Sequence, residues 1–237
     1  MNMALNPNDP NVAMLEVVAH RLGDALRRRL VFIGGSVVGL LITDPAMPNI
    51  RPTEDVDLVA QVLARAEFND IEMALRAQGF RQDMSPDAPI CRWRIDQTTV
   101  DVMPTLEAIL GFSNRWYPLA VESAVLVALP SGIEIQMVQA PVFVATKLEA
   151  FHGRGQNDHL FSHDLGDLIS VIDGREALLE ECVQAPEVLK RYLAAEIQRL
   201  MSQRAFMDAL PGHLPSDAAS QSRLPDLEAR LQQLARL

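Results

Sequence analysis

Phe32-Ile33-Gly34-Gly35-Ser36 and, across a loop, Glu54-Asp55-Val56-Asp57-Leu58 decide how this chain is read. Asp55 and Asp57 stand one residue apart in a run with Val56, Leu58 and Val59, and a strand's period of two puts both carboxylates on one face. Such a pair offers hard oxygen ligands to a divalent cation, and Mg²⁺ commonly completes its shell with substrate phosphates. The upstream turn provides for those phosphates. Gly34 and Gly35 let the backbone approach closely, and Ser36 opens an expected helix over 37–42 whose N-terminal dipole favours an anion.

A third acid follows. In Thr99-Val100-Asp101-Val102-Met103-Pro104, Asp101 alternates with Val100 and Val102, as a strand carboxylate facing a cleft does. Further on, Ala145-Thr146-Lys147-Leu148-Glu149-Ala150-Phe151 leads through Arg154 to Ser162-His163-Asp164-Leu165-Gly166-Asp167-Leu168. A hydrophobic strand, Gly-Ser, Asp-x-Asp and a later strand acid, in this order, resemble the nucleotidyltransferase superfamily. The lysine, arginine and Asp-x-x-Asp that follow resemble its AbiEii/AbiGii toxin-type branch. Together these matches run from about Val31 to Ile172. Two departures are visible. Eighteen residues, 37–54, separate Ser36 from Asp55, including Thr43-Asp44-Pro45 and Pro48. A loop of that length adds little closure entropy. His163 stands where the toxin branch often carries arginine, so no fixed positive charge is expected there.

The resemblance implies an α+β fold, a nucleotidyltransferase-like mixed sheet flanked by helices and followed by a C-terminal helical region. The expected organisation is a nucleotidyltransferase core over 1–140, a helical region over 141–210 that completes the nucleotide site, and a tail over 211–237. The implied chemistry is two-metal transfer of a nucleoside monophosphate from a nucleoside triphosphate to an acceptor hydroxyl. Asp55, Asp57 and Asp101 would bind Mg²⁺ or Mn²⁺; Gly34, Gly35, Ser36, Lys147 and Arg154 would hold the nucleotide; Lys147 and Asp164 would join the acids in catalysis. The acceptor is left open among RNA, protein and small molecules, and an antitoxin protein is an implied partner.

Composition sets outer limits. A chain of 237 residues, 49% hydrophobic, buries a full core. Residues 1–7 lack a basic region followed by an apolar run, and no apolar stretch is long enough to span a bilayer, so a cytoplasmic protein without membrane association is expected. Cys91 and Cys182 lack Cys-x-x-Cys spacing and read as small buried hydrophobes. The net charge of −10 means that a nucleic-acid partner requires a local basic surface. The cations on offer are few. Arg27, Arg28 and Arg29 end the first helix, where they oppose its negative end. Arg92 and Arg94 share one face of a strand, either beside the cleft or, as exposed strand charges ordinarily are, on a solvated edge.

Periodicity places a helix over 12–29, a strand over 30–33, a helix over 66–78 and a hairpin of strands 90–95 and 98–103 turning at Asp96-Gln97. Strands over 124–129 and 133–138 and helices over 141–151, 164–173, 175–184 and 186–208 follow. In the tail, Leu227, Leu231 and Leu234 line one face of a helix over 225–237 that is too short to be stable alone, so it must dock on its own domain or on a partner, core docking being the expected case.

Three other functions compete. A regulatory module of the same fold would bind nucleotide without turnover, and a small-molecule nucleotidyltransferase would use the same acids. His152, His159 and His163, near Asp158 and Asp164, suggest a zinc site with His159 and His163 on one helical face. No Glu lies in a His-Glu-x-x-His arrangement to support it. Asp164 also has a purely structural reading as a helix cap.

Overall fold

The structure is a computed structural model that describes residues 9–47, 50–155 and 157–237. The readings made at residues 1–7 and at Pro48 lie outside the described residues. The chain divides into two compact units, Met1–Gly39 with Arg51–Gln139 and Leu40–Ile50 with Ala140–Leu237.

The first unit is built on a mixed sheet. Helix α1 (Pro10–Arg27) is capped by Asp9, whose side chain accepts from the Asn11 N–H, and buries Leu15, Val18, Ala19 and Leu22 at helical spacing. It breaks at Gly23, where φ is 66°. Strand β1 (Leu30–Ile33) is buried throughout. A 3₁₀ turn, Gly35–Val37, then leads into a single helical turn, α2 (Val38–Leu41). This corrects the expected helix over 37–42. Four α-helical residues carry little of a macrodipole, so the Gly-Gly-Ser turn must work through its own atoms.

Strand β2 (Asp55–Ala60), helix α3 (Arg65–Ala77) and strands β3 (Arg81–Gln82), β4 (Arg92–Ile95) and β5 (Thr98–Pro104) follow. Short helices α4 (Glu107–Leu110) and α5 (Tyr117–Glu122) precede strands β6 (Val125–Ala128) and β7 (Glu134–Met137). The seven strands lie in the order β3-β4-β5-β2-β1-β7-β6. Strands β1 and β2 run antiparallel, with Ile33 opposite Asp57, while β2 and β5 run parallel, with Asp57 opposite Asp101. The β4–β5 hairpin turns at Asp96, whose φ of 53° Asp tolerates better than most residues. Its register sets Arg92 opposite Asp101 and Arg94 opposite Thr99.

The second unit is helical. It contains α6 (Ala140–Arg154), α7 (His163–Gly174), α8 (Leu178–Gln184), α9 (Glu187–Met201), α10 (Arg204–Ala209), α11 (Ala218–Gln221) and α12 (Leu224–Leu234). The expected helix over 186–208 is two helices, because the chain leaves helical geometry at Ser202-Gln203. Helix α12 packs on α7, α8 and α9 and buries Leu227, Leu231 and Leu234, so the tail docks as its apolar face requires. Arg223 ties it further, donating to Asp173 at 2.9 Å and to Asp44 at 2.8 Å. The whole is an α+β structure of the kind the sequence led us to expect.

Candidate active site

The first unit gathers three carboxylates on one face of neighbouring strands. Asp55 and Asp57 alternate with buried Val56 and Leu58, so the apolar residues anchor β2 and leave the acids on the opposite side. Parallel register brings Asp101 level with Asp57. Thr53 donates its hydroxyl to Asp55 Oδ1 at 3.2 Å.

Gly34 has a more specific role than a flexible turn. Its φ is 81°, and a Cβ placed on it would lie 2.6 Å from Asp57 Cγ and 2.7 Å from Asp57 Cβ. The Asp57 side chain fills the space that any other residue's Cβ would take. Glycine is therefore required on two counts, backbone conformation and close approach. Next to it, Ser36 is buried at 1% exposure, and its Oγ has no hydrogen-bond partner among the described residues. An orphaned hydroxyl beside an acid cluster is the feature a bound polar ligand would satisfy.

Arg92 reaches the same face. Its Nε and Nη2 donate to the two Asp101 oxygens at 2.9 and 2.8 Å, and Nη2 stands 3.5 Å from Asp55 Oδ2. The hydrogen bonds to Asp101 outweigh desolvation and push the guanidinium above its already high ordinary pKa. Arg94, two residues on, pairs instead with Asp83 at 2.8 Å, with its side chain 57% exposed. The two arginines thus part company: one joins the acids and the other is solvent-facing beside Asp83, on a strand that β3 covers. Burial, then the charge of Asp101, pushes the neighbouring Cys91 thiol up to about 12, which keeps it protonated and inert.

In donor chemistry the three acids fit hard divalent cations, since they are carboxylates on one sheet face with the partnerless Ser36 hydroxyl in the turn that meets β2. As arranged, Asp101 and Asp55 meet Arg92, and Asp57 lies against Gly34. Among the described residues, no three His, Cys, Asp or Glu side chains are grouped as ligands.

The second unit holds its own cluster. Ser162 caps α7, its side chain accepting from the Leu165 N–H, so Asp164 is released from capping. Asp164 and Asp167, three residues apart, share a helical face and receive Lys147 from α6. The ammonium lies 3.2 Å from Asp164 Oδ1 and 2.7 Å from Asp167 Oδ2, and all three residues are buried. Arg154 adds a bidentate pair on Asp164, both bonds 2.9 Å, from a side chain that is 72% exposed. Burial alone would raise the Asp164 carboxyl, but Arg154 and Lys147 together hold it below the usual carboxylate range.

Arg92 and Asp167 complete the two clusters, although neither stood among the expected site residues. Asp167 was visible as half of the Asp-x-x-Asp motif. Arg92 was legible only as one of two strand arginines. The zinc arrangement fails on geometry, because α7 begins at His163 and leaves His159 in the preceding turn. There the His159 carbonyl accepts from His213 Nε2 at 2.7 Å.

A mixed sheet carrying acids on adjacent strands beside a Gly-Gly-Ser turn defines the class as a nucleotidyltransferase-like α+β fold. A family model described as the nucleotidyl transferase AbiEii toxin of a type IV toxin–antitoxin system matches residues 19–236, and the chain belongs to that family. Comparison with curated proteins finds no match. Among the described residues, no helix is long and apolar enough to cross a membrane.

Proposed function

We propose that this protein transfers a nucleoside monophosphate from a nucleoside triphosphate to an acceptor hydroxyl, as the toxin of a toxin–antitoxin pair acting on RNA in the cytoplasm. The observation that carries this reading is the set Asp55, Asp57 and Asp101 on one face beside the orphaned Ser36 hydroxyl. In the reaction, the acceptor oxygen forms a bond to the α-phosphorus. The bond from that phosphorus to the bridging oxygen breaks, pyrophosphate leaves with the bonding pair, and the hydroxyl proton passes to Asp101 or to water.

The residues divide the work. Asp55, Asp57 and Asp101 would hold Mg²⁺ or Mn²⁺, and such ions would supply charge stabilisation at the attacking and departing oxygens. Ser36 donates its hydroxyl to a phosphate oxygen, with the Gly34-Gly35 backbone close by. Arg154, an exposed cation of the helical unit already paired with Asp164, would meet an anion with its guanidinium. Lys147, buried behind it, adds positive charge and, with Asp164, fixes the arginine's position. An antitoxin would act by denying the donor or the acceptor its place.

The Arg92 pair on Asp101 favours a second reading, a regulatory module that binds nucleotide without turnover. Pyrophosphate release separates the two. The transferase reading expects release with wild type in the presence of RNA and Mg²⁺, and none with Asp57→Asn. Nucleotide binding without release by wild type, across RNA, protein and small-hydroxyl acceptors, would support the sensor instead.

A further inference from the structure

The three-acid face already holds a cation that belongs to the chain. The β4–β5 register fixes Arg92 opposite Asp101, so only a side-chain rotation separates the pair. The Arg92 side chain is 29% exposed and that of Asp101 10%, so the guanidinium has a path to solvent that the carboxylate lacks. A bidentate guanidinium–carboxylate pair is among the stronger polar contacts in proteins, and it uses both Asp101 oxygens. A divalent ion at Asp101 needs the same oxygens. Asp55 is met more loosely, by one Arg92 nitrogen at 3.5 Å and the Thr53 hydroxyl at 3.2 Å, and Asp57 is seated against Gly34.

We propose that Arg92 is the resident counter-cation of Asp101 and limits the nucleotide-free protein to one divalent ion, held at Asp55 and Asp57. The inference rests on the metal reading above and adds a positioning residue to it. Arg92 keeps three like charges tolerable on one sheet face while the site is empty of substrate, and it must swing away before Asp101 serves as a ligand or accepts a proton. The triphosphate is a suitable destination, because a guanidinium fork matches phosphate oxygens as well as it matches a carboxylate.

The test is a Mn²⁺ titration of the full chain without nucleotide, followed by the electron paramagnetic resonance signal of free Mn²⁺. Wild type should take one ion, and Asp57→Asn should lose it. Arg92→Met keeps the aliphatic stem and removes the charge. Because a unit charge about 5 Å from a dication is worth several RT even at an effective dielectric constant of about 20, this variant should gain a second ion and bind Mn²⁺ at least about tenfold more tightly. Arg92→Lys keeps the charge without the fork and should fall between. Adding Asp101→Asn to either variant should erase the gain. The Mn²⁺-induced rise in Tm should follow the same order, since a ligand bound only by the folded state stabilises it in proportion to its occupancy. If Arg92→Met does not fold, Arg92→Lys carries the comparison.

Wild type taking two ions, or unchanged affinity in the Arg92 variants alongside loss in Asp57→Asn, overturns the inference and leaves the metal reading intact. No Mn²⁺ bound by any of these proteins overturns both.

Discussion

Replacing Lys147 with alanine removes an ammonium whose side chain is 9% exposed and which lies between two carboxylates that are equally buried. The distances, 2.7 Å to Asp167 and 3.2 Å to Asp164, make this a buried ion cluster and not a surface pair. Deleting one member of such a cluster leaves charge behind in a poorly solvated place, and costs about 3–5 kcal/mol. Arg154 still neutralises Asp164, which argues for the lower end, about 3 kcal/mol. At about 2–4 °C per kcal/mol for a chain of this size, Tm should fall by roughly 6–12 °C. Thermal melts followed by circular dichroism at neutral pH measure this directly. Lys147→Met keeps most of the side-chain volume beside the Phe143 ring, 5.7 Å away, and should melt nearly as low if the charge is what matters. A Tm within about 2 °C of wild type for both variants would refute the buried-cluster reasoning. A normal melt combined with a raised KM for nucleotide would return Lys147 to direct phosphate contact.

Gly34→Ala should force a residue with a Cβ into a backbone conformation of φ 81° and ψ −165° that is essentially confined to glycine, costing about 1–3 kcal/mol, and should also push Asp57 out of its place. Tm would then fall modestly while Mn²⁺ binding is lost, and unchanged Mn²⁺ affinity would contradict the seating of Asp57 on Gly34. Ser36→Ala removes a buried hydroxyl that has no partner among the described residues, so Tm should hold or rise by up to the equivalent of about 1 kcal/mol. The same variant should raise the nucleotide KM; a clear fall in Tm would mean that the hydroxyl already has an internal role. The pH dependence follows from Asp164, whose carboxyl is held below its ordinary 3.8 in the folded protein. A depressed folded value means that the unfolded chain takes up the proton first, so the stabilisation is complete above the unfolded value and is lost as pH falls through the folded one. The difference in Tm between wild type and Asp164→Asn should therefore be largest near pH 6 and shrink below about pH 4. A difference that is constant from pH 6 to pH 3 would show that the ion cluster does not carry it.

The acids were legible because strand periodicity and position in the sequence both speak for them. Asp55 and Asp57 lie where alternation places them, and the Asp96-Gln97 turn made the hairpin carrying Asp101 readable. Contacts across strands were not legible. Arg92 and Arg94 look alike in sequence, two cations on one face, and differ only because register sets one opposite Asp101 and the other opposite Thr99. Gly34 shows the same limit. Its local pattern suggests a phosphate turn, while its closest neighbour is Asp57, brought there by the pairing of Ile33 with Asp57. Short elements escaped for lack of a period: two residues in β3 and four in α4 carry too little pattern. The break between α9 and α10 escaped for the opposite reason, since the apolar spacing continues on both sides of Ser202-Gln203.

The central claim is that Asp55 and Asp57 serve the transfer of a nucleoside monophosphate. Its most direct test is incubation with Mg²⁺ and each nucleoside triphosphate labelled in parallel at the α- or the γ-phosphate, offering RNA, protein extract and small hydroxyl compounds as acceptors. Wild type and Asp55→Ala/Asp57→Ala are compared throughout. The account predicts α-label in one acceptor pool with wild type alone, and γ-label only in pyrophosphate. Label from the γ-phosphate in an acceptor, or α-label transferred equally well by the double variant, would contradict it.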